Sequence, residues 1–371
     1  MLPALALRTL RSADKRCIAK FVWNFGVKGM LSVERFKRRL KRGETFPPFL
    51  YLSIINSCNL RCQGCWVDVE EKDSIDLATL NRTIEDAQAH ARTRTGIPLL
   101  VCADHEGGHV RTLRGRATDV PPNMGLGAAG DPAGAREAAA ILGAELRIVG
   151  VNWVLAPVVD VNNNPANPVI GVRSYGDDPV TVGAFAREAV AGFQGEGILA
   201  CAKHFPGHGD TDRDSHVTLP TIRHDRARLD RIELPPFREA IAAGVATIMT
   251  AHLAVPALDP ENIGTLSHAT LTGLLRGELG FSGSIVTDAM EMRGVADLTG
   301  IGDAAVRTVA AGADVILAHR DPELLRETQA ALVAAARSGR LSADRLDDAA
   351  RRTLTAKARV ADVRPDRAKL A

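Results

Sequence analysis

Short apolar runs and longer amphipathic stretches take turns along most of this chain. Seven runs have the length and β-branched content of buried strands: residues 49–56, 98–103, 151–159, 198–203, 246–251, 284–288 and 313–318. Between them lie stretches whose apolar residues recur every three or four positions, which predicts helices. These are Leu77 to about Ala91, Ala133–Val149, Val180–Glu196, Ala227–Ala243 and Asp303–Ala311, and Ala343–Ala361 follows as a closing helix with charged edges. Strand and helix in alternation predict an α/β fold with a parallel sheet, and this many units predict a parallel β/α barrel of the TIM type. Seven strands are one short of closure. Either a further strand lies within the first 48 residues, or the barrel has an altered, incomplete first βα unit. No second domain is expected after the closing helix.

Several of the apolar runs end in a charged residue. Residues 98–103 lead into Asp104, Val154–Val159 into Asp160, and Ser284–Thr287 into Asp288, while the run from Ile198 ends in Lys203-His204. Barrel enzymes keep their chemistry at the C-terminal tips of the strands, so these groups are expected at one face. The segment KHFPGHGDTDRDSH, Lys203 to His216, holds a lysine, three histidines and three aspartates within fourteen residues. A loop that polar is suited to chemistry and not to packing. His204, His208 and His216 with Asp210, Asp212 and Asp214 have the donor types of a zinc site, but their spacing fits no compact ligand motif such as H-E-x-x-H.

Five blocks together resemble the family 3 glycoside hydrolases of β-N-acetylhexosaminidase type: Ile97–Gly108, Pro121–Pro132, Asn152–Pro179, Lys203–Pro220 and Leu274–Met292. The resemblance implies a retaining exo-β-N-acetylglucosaminidase that removes terminal N-acetylglucosamine from glycans or muropeptides without a cofactor. It implies Asp288 as the nucleophile, where a carboxylate captures an oxocarbenium-like centre as a covalent glycosyl ester. It further implies His216 as general acid/base, oriented by Asp214. Imidazole titrates near neutral pH and so can both give and take a proton on an exposed loop. Asp104, Arg173, Lys203 and His204 are implied as sugar-binding residues, one acceptor and three donors. The residues alone also allow plainer readings: a solvated Asp214–His216 pair, an Asp104–Lys203 ion pair, and Arg173 capping a turn. One position departs from the family pattern, in that Thr112 stands where relatives usually carry an arginine, with Arg111 just before it.

The other end of the chain has a different character. Cys58, Cys62 and Cys65 form a C-x3-C-x2-C triad directly after the first apolar run. This resembles the radical S-adenosylmethionine enzymes, in which three such thiolates hold a 4Fe–4S cluster. The resemblance covers residues 1–92 and lacks the glycine-glycine-glutamate segment of that family, so the chain resembles a chimera: an N-terminal segment of one kind and a hydrolase-like barrel over 93–371. An iron–sulfur binding protein, or a catalytically inactive chimera, is the alternative function.

Composition changes little. With 371 residues, 46% hydrophobic and 24% charged, the chain can build one barrel. A net charge of +2 gives no reason to expect nucleic-acid binding. Met1–Arg42 nonetheless carries twelve Lys/Arg against two Asp/Glu, as either a solvated helix or a basic amphipathic one making peripheral contact with an anionic membrane. No apolar run reaches the ~20 residues of a membrane span. The initial apolar stretch precedes its charges, the reverse of a signal peptide, and six cysteines placed in strands and in the triad suggest no disulfide framework. A cytoplasmic location is expected, with a small carbohydrate as partner, and the sequence does not define an oligomeric state.

Overall fold

The computed structural model describes residues 76–113, 117–215, 218–318 and 321–366. The run 49–56, the cysteine triad, the basic N-terminal stretch and His216 lie outside the described residues.

Helix starts in this chain are written as Asp-Pro. Proline at the first helical position gives up a donor that would be unsatisfied anyway, and the aspartate before it accepts from a free amide of the first turn. This occurs at α3 (Pro132–Ile148, capped by Asp131), α4 (Pro179–Gly195, capped by Asp178) and α9 (Pro322–Arg337, capped by Asp321). The apolar residues of α3 and α4 then fall on one buried stripe each: Ala135, Ala138, Ala139, Leu142 and Leu146 on α3, and Val182, Phe185, Ala186, Ala189, Val190 and Phe193 on α4. Before these, α1 (Leu77–Thr95) buries Leu80 and Ile84 in the same core, and Gln88 brackets Leu99 by accepting from its amide at 2.9 Å and donating to its carbonyl at 3.0 Å. The short α2 (Asn123–Ala129) precedes α3.

The expected single helix over Ala227–Ala243 is corrected to two, α5 (Arg226–Arg231) and α6 (Pro235–Ala242). Pro235 and Pro236 remove two amide donors, so a continuous helix cannot pass through them. The Phe237 ring of α6 stands edge-on to Phe205, centroids 5.1 Å apart, and holds the helix against the sheet. Downstream, the π-type helical segment Ala269–Glu278, α7 (Arg293–Ala296), α8 (Ile301–Ala311) and α10 (Ala343–Arg359) complete the described helices.

The strands are β1 (Cys102–Ala103), β2 (His105–Gly107), β3 (Val110–Arg111), β4 (Trp153–Val154), β5 (Cys201–Phe205), β6 (Thr247–Thr250) and β7 (Ser284–Val286). β1 pairs with β4, and β5 with β6 with β7, all parallel. Single parallel bridges, Trp153 to Leu199 and Val286 to Val315, extend the order on either side. Six of the expected runs thus lie side by side in chain order, each parallel to the next, which is the arrangement of a β/α barrel wall. β2 and β3 were not expected. They form an antiparallel hairpin turning at Gly107 and Gly108, both at positive φ, at the exit of β1.

Alternation along each strand separates two cores. Val101, Ala103, Val154, Ala200, Ala202, Ile248 and Ile285 pack outward with the helices, whereas Leu100, Trp153, Leu155, Leu199, Cys201, Met249, Val286, Val315 and Leu317 pack with one another on the other face. With a side-chain period of two, the next members of that second face are Asp104, Lys203 and Asp288. Among the described residues, no helix is long and apolar enough to cross a membrane.

Candidate active site

Asp104, Lys203 and Asp288 do arrive at one mouth. The Lys203 ammonium lies 2.8 Å from Asp104 Oδ1, and the Cys201 thiol, one layer below, sits within the fields of Lys203, Asp104 and Asp288 together. Burial foremost pushes that thiol up to about 12, so the floor of the mouth is dry and uncharged.

Lys203 is 2% exposed and has a second partner, Glu106 Oε1, at 2.7 Å. Glu106 in turn accepts two hydrogen bonds from Arg173, from Nε at 2.9 Å and from Nη2 at 2.8 Å. Burial alone would raise the Glu106 carboxyl, but Arg173 and Lys203 overcome it and hold the group well below the usual carboxylate range. Burial likewise opposes the charge on Lys203, and Asp104 and Glu106 reverse the direction. The outcome is a fixed row of alternating charge whose outermost member, Asp104, keeps 41% of its side chain exposed. Glu106 is a site residue that the sequence reading does not single out. Its signal was present in D-x-E at the end of an apolar run, because two residues apart along extended chain means the same face.

A second polar group adjoins the first. The register between β5 and β6 slips between Ala202 and Phe205, and across this bulge Lys203 and His204 both join the site. His204 Nδ1 lies 2.7 Å from Asp160 Oδ2, and its Nε2 is 3.3 Å from Arg173 Nη2. Asp160 is fully buried and also accepts from the backbone amides of His204 and His208, at 3.2 and 2.6 Å. The sequence reading places Asp160 at a strand tip without a task, and its task is to hold the start of the polar loop. Asn167 holds the next turn, donating to the carbonyls of His208 and Gly209 at 2.8 and 2.9 Å. Gly209 is required there: a Cβ on it would stand 1.8 Å from the Val161 carbonyl oxygen.

Of the plainer readings, the one in which Arg173 caps the turn at Ser174–Gly176 does not hold. Arg173 joins Glu106 and His204, and its Nη1 donates to the Val169 carbonyl at 3.1 Å. Asp104 and Lys203 do form the ion pair that the residues alone allowed, at the mouth. At Thr112, the hydroxyl donates to the Asp104 carbonyl at 2.6 Å and the amide to His105 Nδ1 at 3.1 Å, while Arg111 turns to Asp119. Asp288 stands half-buried just beyond β7 and accepts from the Ala289 amide at 2.7 Å. Asp214 is half-buried in the polar loop. Among the described residues, no three of His, Cys, Asp and Glu converge as a metal site. Asp160 takes up His204, Thr211 and Ser215 take up His208, and Asp210 pairs with His224.

Paired charges gathered at the tips of parallel strands are where α/β folds of this kind keep their small-molecule sites. The Glycosyl hydrolase family 3 N terminal domain matches residues 64–356, and the chain belongs to that family. The match begins upstream of Ile97 and takes in α1. Beta-hexosaminidase A of Pseudoalteromonas piscicida is 39% identical over 66% of this chain and 44% of its own length. Beta-hexosaminidase of Thiobacillus denitrificans is 38% identical over 70% of this chain and 72% of its own. Among solved structures, the family 3 β-N-acetylglucosaminidase of Paenibacillus sp. superposes with a TM-score of 0.76 at 50% identity, over 77% of this chain and 55% of that one. The chain thus spans about half the length of the first of these relatives and of the Paenibacillus enzyme.

Proposed function

We propose that this chain is a retaining exo-β-N-acetylglucosaminidase. The observation that carries the reading is the row Arg173–Glu106–Lys203–Asp104. It fixes one carboxylate at the mouth of a β/α barrel, with one side bound to a buried ammonium and the other side open. Such a carboxylate is built to accept from neighbouring hydroxyls of a terminal sugar. The names of the relatives supply the sugar, a terminal N-acetylhexosamine.

Asp288 is the nucleophile in this reading. Its carboxylate forms a bond to the anomeric carbon as the glycosidic C–O bond breaks, and His216 gives its proton to the departing oxygen. Water then attacks the same carbon, yields its proton to His216, and releases Asp288 as a carboxylate with the β configuration retained. Asp214 orients the imidazole. Muropeptide fragments are the substrates this activity fits if the chain works in the cytoplasm. A second proposal concerns Cys58, Cys62 and Cys65, whose spacing suits a 4Fe–4S cluster independent of hydrolysis. The visible absorption spectrum of the anaerobically purified chain tests it.

The test of the main reading is phenol release from a chromogenic β-N-acetylglucosaminide. Wild type is expected to turn over, and both Asp288→Ala and His216→Ala to lose at least about a hundredfold in kcat/KM. Folded wild type without activity contradicts the reading.

A further inference from the structure

His216 follows directly on the loop Gly207–Ser215, which has neither strand nor helix, so something other than a ladder of backbone bonds holds that loop. Two buried side chains seven residues apart bridge this loop. His208 Nε2 lies 3.0 Å from the Ser215 hydroxyl, and both residues are 2% exposed. The other ring nitrogen, Nδ1, is 2.7 Å from the Thr211 hydroxyl, so the imidazole is fixed at both ends. Its own backbone is fixed as well, the amide by Asp160 and the carbonyl by Asn167. Burial, with the neighbouring His204 adding to it, lowers the His208 pKa to about 4, so at neutral pH the ring presents one donor and one acceptor.

The far side of Ser215 is tied to the nucleophile. Its carbonyl accepts from the Gly294 amide at 3.2 Å, six residues beyond Asp288. A Cβ at Gly294 would sit tightly, 3.1 Å from His252 Cβ and 3.2 Å from the Ser215 oxygen. His252 Nε2 in turn contacts the Ala289 carbonyl at 3.0 Å, beside Asp288, and its Nδ1 is 2.8 Å from the Thr265 hydroxyl. The two loops are therefore placed relative to each other through Ser215, Gly294 and His252.

Resting on the hydrolase reading above, we propose that His208, acting through the Ser215 hydroxyl, is the positioning residue for the general acid/base His216. The Ser215 side chain is one residue from the imidazole that moves the proton. Releasing it leaves the sugar-binding row intact and lets the proton donor drift, and about 1 Å of misplacement can cost a hundredfold in rate.

The experiment compares wild type, Ser215→Ala and His208→Phe on phenyl and dinitrophenyl β-N-acetylglucosaminides, with and without azide. Phenolate is a poor leaving group that needs the proton, whereas dinitrophenolate departs without it. For Ser215→Ala, kcat/KM on the phenyl substrate is expected to fall at least about tenfold, and on the dinitrophenyl substrate by no more than about twofold. Azide needs no general base, so it should raise turnover of the dinitrophenyl substrate and yield the β-glycosyl azide. His208→Phe should show the same pattern more strongly, and Ser215→Ala alone decides if that variant fails to fold. Unchanged kcat/KM in Ser215→Ala, or an equal loss on both substrates without azide rescue, overturns the proposal while leaving the hydrolase reading in place. An inactive wild type overturns both.

Discussion

Glu106 is the residue on which most of the site's order depends. It is one carboxylate between two cations, all three largely removed from water. Removing one member of such a buried set leaves uncompensated charge, which costs roughly 3–5 kcal/mol. Glu106→Gln should therefore lower the unfolding free energy by about that much in a urea titration and raise KM for the chromogenic substrate, because Arg173 loses its charged partner and Lys203 is left with Asp104 alone. His105, next to it, makes a separate prediction. Burial, aided by the Arg111 charge, lowers its pKa from 6.5 to about 4. The unfolded chain then binds the proton first, so this contribution to stability is complete above pH 6.5 and is lost as pH falls through about 4. The difference amounts to about 3 kcal/mol, and His105→Gln should flatten the acid limb of stability against pH by that amount. An unaltered acid limb in the variant would show that His105 is not the group responsible. At this scale the sequence was readable where a residue's type alone signals chemistry, as for Asp104, Lys203, His204 and Asp288. For Glu106 and Asp160 the sequence offered a position but not a task, because their partners lie 67 and 44 residues away along the chain.

Among the elements, the polar loop after β5 is held by side chains and by close backbone approach, not by a ladder. Gly209 touches the backbone of Val161, and a methyl group there has no flexible neighbour to displace. Gly209→Ala is expected to cost about 1–3 kcal/mol, as overpacking does, and to lower kcat/KM at least tenfold by shifting the segment between His208 and Ser215. Wild-type kinetics in that variant would mean the loop is free to move without consequence. Helices with strong start signals and a regular apolar period, α3 and α4, were legible within a residue, and α8 within two from its period alone. The helix over Ala227–Ala243 was not, since its period continues through Pro235-Pro236 while its hydrogen bonds cannot. The β2–β3 hairpin was not legible because its two arms are too short to show a period of two.

For the molecule as a whole, strand alternation connects sequence to function. One set of alternate residues meets the helices and the other fills the inner face, so acids and a lysine at the strand ends converge without any sequence proximity. That is why the parallel order of the strands and the gathering of charge at their ends could be read from apolar runs ending in charge, while the loop that carries His216 could be located but not oriented. The central claim is that Asp288 becomes covalently joined to the sugar. The direct measurement is the mass of the protein, quenched during turnover of a fluorinated N-acetylglucosaminyl fluoride that slows breakdown of the intermediate, followed by peptide mapping. The account predicts one added sugar, on the peptide containing Asp288, and none in Asp288→Ala. Turnover without an adduct, or an adduct on any other residue, would contradict it.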